Sequence, residues 1–481
     1  MKKKSLTVNA FLNSIRSILG VVFPLITFPY VSRVLSVEGI GKYNFSYSVT
    51  YYFLLIAGLG ISTYAIREGA KYRDNKKKLQ QFANEMLTIN AWSTLLAYLL
   101  LFTCLLIFVK LHSYLACILI YSLQIGFTFI GVEWLFTIYE DFLYITIRSI
   151  FFQIISLILL FVFVRNSNDY LKYAAITVFS SVGSNYLNFI RARKLLRIHL
   201  IWKFNWRIHM IPILILFASN IANFIYVNSD ITILGLMKNN YIVGTYTISS
   251  KIYTIVKTVI SAGLSVTVPR LALLYGKKRM REYQLTLNNL VNSLLLLTLP
   301  AMTGLIMLSK EVILIVSGPH FIRSVTSLRI LTLSYLFSVL AWILNDCVLI
   351  PSKQEKKVLV STTLSAVLNI IFNIALIPYL DENAAAISTP LAELCMFIVN
   401  YHFSRKMVRQ IFMSKTFFKN FIESILGCIG IVAVCLLCLS SLKSLFIVTI
   451  LSVMLSIIVY VFVLILMRNS IVLTLIEKLR Q

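Results

Sequence analysis

Of the 481 residues, 59% are hydrophobic and only 13% charged, a composition that excludes a soluble globular protein. The formal net charge is +27, but the basic residues stand in short clusters at the ends of apolar runs, which argues against a nucleic-acid-binding face. Mean hydropathy is +0.85, and stretches of about 20 apolar residues, enough to cross a hydrocarbon core of about 30 Å, recur from end to end.

The apolar runs are too long and too uniform for barrel strands, so each predicts a helix that satisfies its own backbone hydrogen bonds. About fourteen spans are expected, over 8–31, 43–65, 83–109, 112–137, 144–164, 170–190 and 210–236, then 241–266, 285–308, 325–350, 358–380, 383–404, 421–440 and 444–467. The fold class is therefore an all-α polytopic membrane protein. Residues 1–207 make an N-terminal six-helix lobe and 208–404 a C-terminal one. Residues 405–481 add two transmembrane helices and a tail. Segment 309–324 is too short to span and reads as re-entrant or interfacial.

At the N-terminus, Met1–Asn9 carries three lysines but no continuous apolar region before a small-residue cleavage site, so no cleaved signal peptide is expected. The stretch 29–73, a short linker, one long apolar helix and a basic exit, recurs downstream at a single ungapped offset. Gly41, Tyr43 and Ser46 fall on Gly244, Tyr246 and Ser249, and Gly60, Ser62, Arg67 and Tyr72 on Gly263, Ser265, Arg270 and Tyr275. Lys76 and Lys78 meet Arg279 and Arg281, so the charge sign is kept. This is the signature of an internal duplication, common in transporters built from two halves.

Most of the 45 basic residues fall on one side if the N-terminus is cytoplasmic, notably in 66–79, 191–207, 270–281, 351–357 and 404–419. By the positive-inside rule both termini are then cytoplasmic, and the duplicated spans run in the same direction.

Charges inside spans cost about 2.5–3.5 kcal/mol each on insertion scales, so each needs a reason. Arg16 lies in the first span, and Lys251 and Lys257 in the eighth. A water-filled cationic cavity for an anionic solute would account for them, and so would snorkelling of long side chains to the interface. Arg67 and Arg270, equivalent in the duplication, lie at span ends, where an entrance role competes with simple anchoring. Asp230 suits ion coupling or a helix-end pair with Lys238. Glu85, Glu133, Asp346 and Glu393 are the other buried or near-buried acids, Glu133 reading as a packing or interface partner of Trp134 or a proton site, and Glu393 and Asp346 each as a candidate cation carrier.

Motifs for chemistry are missing. The five histidines have no metal-ligand spacing, there is no Walker A sequence, and the acidic pairs Glu140–Asp141 and Asp381–Glu382 read as solvated turns. No catalytic residue and no metal is expected. All seven cysteines lie in or beside apolar runs and read as small packing residues. Tyr43, Tyr47, Tyr51 and Tyr52, with Tyr246 and Tyr253, could line a sugar-binding surface or simply pack.

The runs PYVSRVLSVEGIGKYNFSYSVTYYF, GLGISTYAIREGAKYRDN and VEWLFTIYEDFLYITIR resemble the bacterial polysaccharide repeat-unit flippases. So do SDITILGLMKNNYIVGTYTISSKIYTIVKTVISAGLSVTVPRL and IPYLDENAAAISTPLAE. The resemblance covers roughly residues 8–404, and the last two spans match only in hydrophobicity. Family members often carry a Gly-Glu pair after the aromatic run of the fourth span, whereas Phe136–Glu140 lacks the glycine. The resemblance implies membership of the multidrug/oligosaccharidyl-lipid/polysaccharide exporter superfamily, with two pseudo-symmetric six-helix lobes around a central cavity.

It further implies a non-enzymatic flippase moving undecaprenyl-pyrophosphate-linked oligosaccharide repeat units across the bacterial plasma membrane by alternating access, for capsule, O-antigen or exopolysaccharide assembly. Arg16, Lys251, Lys257, Arg67 and Arg270 would hold the pyrophosphate. Asp230 or Glu393 would couple transport to a proton or sodium gradient, with no other cofactor. Polysaccharide polymerase and glycosyltransferases of the pathway are candidate partners, and nucleic acid is not. A multidrug/cation antiporter of the same fold is the alternative, although its lumen should be acidic and the intramembrane excess here is basic. A membrane polymerase or ligase would be expected to carry a large polar outer loop, and none is present.

Overall fold

The computed structural model describes residues 20 and 22–480, with backbone alone for 262–266, 475–476 and 478–480. Among them every regular element is helical. Helix α1 spans Val22–Val34. The Ser36 hydroxyl then accepts from the Gly39 amide at 3.1 Å and starts α2, Val37–Gly58. This helix stops because Leu59 (φ 46°) and Gly60 (φ 74°) both adopt the left-handed region, and α3 follows at Ile61–Gly69. The run expected as one long helix is thus two. Its duplicate, α10 (Asn240–Gly276), is unbroken.

Between them come α4 (Lys76–Ile107), α5 (Leu115–Phe129), α6 (Glu133–Ile138), α7 (Phe142–Phe163), α8 (Tyr170–Leu196) and α9 (Trp206–Met237). The expected span 112–137 is also divided, because the chain leaves the helix at residues 130–132 before the short α6. At the end of α6, Glu140 takes a left-handed backbone conformation (φ 55°). Its amide donates to Thr137 O at 3.0 Å, and the Arg73 guanidinium pairs with its carboxylate at 2.6 Å. Before α8, Asp169 accepts from Lys172 and from the Arg165 and Asn166 amides, which hold its carboxyl down at about 2.

The chain then continues through α11 (Met280–Met307), α12 (Ser309–Val316), α13 (Ser324–Thr332) and α14 (Ser334–Ile343), which runs into a π-helical turn at Leu344–Leu349. It ends with α15 (Glu355–Leu380), α16 (Glu382–Phe412), α17 (Lys415–Ser441), α18 (Leu445–Leu466) and α19 (Ser470–Arg480). The eight-residue α12 is too short to cross a bilayer, as expected for segment 309–324.

Eleven helical stretches among the described residues are long and apolar enough to cross a membrane. Of the other three expected spans, 170–190 and 241–266 fall on α8 and α10, and of 8–31 only the last part falls on α1, the rest lying outside the described residues. The protein is a multi-pass membrane protein.

One compact unit ends at Gly244 and the other begins at Thr245, so α9 lies in the first. In the first unit Leu135 and Phe136 of α6 are fully buried against Leu79 and Met86 of α4 and Ile145 of α7. The α2 and α10 N-termini meet backbone to backbone. A Cβ on Gly41 would lie 1.9 Å from the Asn240 carbonyl oxygen, and one on Gly244 2.1 Å from that of Val37. Gly41 and Gly244 are equivalent in the duplication, and so are Val37 and Asn240, so the contact is reciprocal. Small residues at such crossings let helices approach where no water drives them together.

In the second unit polar bonds tie helix to helix. The Ser249 hydroxyl donates to Ser324 O at 2.7 Å and the Ser324 hydroxyl to Thr245 O at 2.8 Å, joining α10 to α13. Asn373 donates to Asn369 at 2.9 Å and Ser388 donates to Asn373 at 3.2 Å, joining α15 to α16. Asn420 of α17 donates to Asn292 of α11 at 2.7 Å and accepts from Asn469 at 2.8 Å, and Asn469 in turn caps α19 through the Ile471 and Val472 amides.

Candidate functional site

Two of the expected site residues meet in the second unit. Lys257 of α10 reaches Glu393 of α16, with Nζ 2.8 Å from Oε1. The lysine side chain is 25% exposed and the glutamate 5%. The lysine was expected to hold phosphate and the glutamate to carry a coupling ion, and they are one ion pair. A carboxylate and an ammonium group placed together in one low-dielectric site are each other's counter-charge.

The pair stands on a stiff support. Lys257 lies over the Tyr253 ring, 5.6 Å from its centroid, and that ring stacks on Tyr335 at 4.8 Å with an 8° tilt. The Ser334 hydroxyl donates to the Tyr253 hydroxyl at 2.8 Å, and the Tyr335 hydroxyl to Tyr253 O at 2.9 Å. Tyr253 is therefore fixed at both ends and fully committed to positioning the lysine. Lys251 lies on the same helix with its side chain exposed.

Arg16 lies outside the described residues. Arg67 is exposed at the end of α3, beside Glu68 at 3.3 Å and over the Tyr64 ring at 5.9 Å. Arg270 is exposed near the end of α10. Asp230 is buried in α9 of the first unit. In the neighbouring turns the Thr232 hydroxyl meets those of Ser48 and Tyr52.

The tyrosines of α2 are largely engaged with other rings. Tyr43 stacks on Tyr173 at 4.4 Å and shares a hydroxyl contact with Thr177 at 3.1 Å, and Tyr51 stacks on Phe224 at 4.3 Å.

Two polar clusters went unrecognised in the sequence. Arg148 of α7, 4% exposed, bonds both Glu133 of α6 and Asn188 of α8. This corrects the reading of Glu133 as a partner of Trp134 alone. Beside it Arg191 pairs with Asp141 at 2.8 Å and covers the Tyr144 ring at 3.9 Å. The available signal was an arginine inside an apolar run. In the second cluster the Tyr64 hydroxyl donates to His209 Nδ1 at 2.8 Å, and His209 Nε2 donates to Glu85 at 3.0 Å, linking α3, α9 and α4.

Among solved structures the chain is similar to lipid II flippase MurJ in an inward closed conformation. The TM-score is 0.75 and the identity 15%, over 96% of this chain and 100% of that one. It is also similar to an inward-facing multidrug resistance MATE family transporter of the MOP superfamily, with a TM-score of 0.62 and 14% identity, over 82% of this chain and 95% of that one. These likenesses show the fold. A protein from Haloferax volcanii named "Probable low-salt glycan biosynthesis flippase" is 25% identical over 191 residues. The match spans 40% of this chain and 40% of that relative's length. Residues 6–275, more than half of the chain, match the family described as "Polysaccharide biosynthesis protein". The chain belongs to the polysaccharide biosynthesis protein family.

Proposed function

We propose that this protein is a flippase that moves a lipid-linked glycan, of the undecaprenyl-pyrophosphate oligosaccharide class, from the inner to the outer leaflet of a bacterial plasma membrane by alternating access. The observation that carries the reading is the Lys257–Glu393 pair in a chain of this family. A pyrophosphate cannot cross hydrocarbon unaided, and a lysine paired with a carboxylate can exchange that partner for a phosphate oxygen. The same pair disfavours a cation exporter, because the acid such a cargo would need is already neutralised by lysine.

In this reading Lys257 takes the pyrophosphate when Glu393 gains a proton, and Lys251 adds a second cation on the same helix. Arg67 and Arg270 attract the head group at the cytoplasmic face, and Asp230 is a second candidate for proton or sodium coupling. Both termini are cytoplasmic, and a potential negative inside favours outward movement by about 2.3 kcal/mol per negative charge per 100 mV. The glycan bond is neither made nor broken, so polymerase and glycosyltransferases act before and after.

The test is reconstitution of the full chain in vesicles containing a fluorescent undecaprenyl-pyrophosphate glycan, with leaflet location read by an impermeant quencher. Protein-dependent movement, lost in Lys257→Met, supports the proposal. Movement absent from the glycan lipid but present for a cationic dye against a proton gradient would establish the antiporter instead.

A further inference from the structure

The segment joining α8 to α9 is fastened to the flank of α4. The His199 amide donates to Asn84 Oδ1 at 3.0 Å and the Ile201 amide to Thr88 Oγ1 at 3.1 Å. Pinned in this way, the segment forms an apolar groove with α4, lined by Trp92, Leu95, Leu200, Ile201 and Trp202. The two indoles meet edge to face at 6.2 Å, and they are 55% and 81% exposed.

Exposed apolar helices such as α18 present aliphatic side chains and phenylalanine, without such a fastened segment. Here tryptophan, the side chain that favours the boundary between hydrocarbon and head groups, lines a recess held open by side chain-to-backbone bonds. The segment that forms one wall of the groove belongs to a basic stretch of sequence. Residues 191–207 hold Arg191, Arg193, Lys194, Arg197, Lys203 and Arg207 and no acid. Lys203 follows Trp202 directly, and Arg207 lies over the Trp206 ring at 5.7 Å. The nearby acid on α4, Glu85, is already engaged by His209.

From this charge complementarity we infer that the groove is a binding site for an anionic phospholipid. Its acyl chain lies along the paired indoles of Trp92 and Trp202, and its phosphate meets Lys203 and Arg207. The inference needs no assumption about what the protein transports.

The experiment uses the full chain in phosphatidylcholine vesicles carrying an equal fraction of brominated phosphatidylglycerol or brominated phosphatidylcholine. The contribution of the two indoles to fluorescence quenching is obtained by comparison with Trp92→Phe and Trp202→Phe. Each basic side chain near an anionic surface is worth roughly fivefold in local preference, so brominated phosphatidylglycerol should quench these indoles several-fold more strongly. The excess should vanish in Lys203→Gln/Arg207→Gln. Equal quenching by the two lipids in the unaltered protein, or an excess that survives the double substitution, overturns the inference. Thermal unfolding of each variant in detergent separates loss of the site from loss of the fold.

Discussion

Lys257 and Glu393 stand 136 residues apart in the chain and 2.8 Å apart in the fold. With the glutamate almost wholly buried, the pair joins α10 to α16 by a charge-assisted hydrogen bond at a place where either partner left single would be costly. Removing one member of a buried pair costs about 3–5 kcal/mol. Lys257→Met should therefore lower the thermal unfolding temperature in detergent. The reversed pair Lys257→Glu/Glu393→Lys should recover most of that loss yet leave transport impaired, because the cation is then displaced from the Tyr253 platform. Full transport by the reversed pair would reduce the site to a structural tie.

A second buried charge gives a purely structural test. Glu133→Gln leaves the Arg148 guanidinium, 4% exposed, without its carboxylate. The cost is set near the lower end of about 3–5 kcal/mol, since Glu133 itself is 29% exposed and partly screened. Replacing both, as Glu133→Leu/Arg148→Met, should restore much of the stability. Calorimetry in one detergent would decide this, and equal stabilities for the single and double variants would show that the pair is inert.

The reciprocal glycine contact predicts matched effects from matched changes. Gly41→Ala and Gly244→Ala each drive a methyl into a carbonyl oxygen that belongs to the backbone and cannot swing away. Overpacking of this kind costs about 1–3 kcal/mol. Gly304→Ala is the control, because nothing lies within 4 Å of its Cβ position, and in a helix interior it should gain about 0.5–1 kcal/mol. Unfolding midpoints of the three variants test the pattern.

Topology is open to direct measurement. Alkaline phosphatase fused after Gln481 should be inactive and a cytoplasmic fluorescent reporter at the same place active, if both termini are cytoplasmic. Phosphatase inserted in the short turn at Val109–Tyr114, between α4 and α5, should be active. The opposite pattern would invert the assigned direction of transport.

Span positions were legible in the sequence because hydrocarbon thickness fixes the length of an apolar run, and α4, α7, α17 and α18 have little else to say. Breaks within runs were not. Leu59 carries a left-handed backbone with a side chain that gives no warning, and α6 is as apolar as the helices around it. Lys257 and Glu393 stood out singly, since each is a charge where the bilayer penalises one, but nothing local in a sequence reports a partner in another helix. Arg148 was hidden for a related reason. It stands as a lone arginine in an apolar run, and nothing local names Glu133 and Asn188, on two other helices, as its partners.

The central claim is translocation, and its most direct measure is the leaflet in which lipid-linked glycans reside in living cells. Their head groups should accumulate on the cytoplasmic face when the protein is depleted, and also when Lys257→Met replaces it at equal abundance. An unchanged distribution on depletion, together with new sensitivity to cationic drugs, would contradict the account.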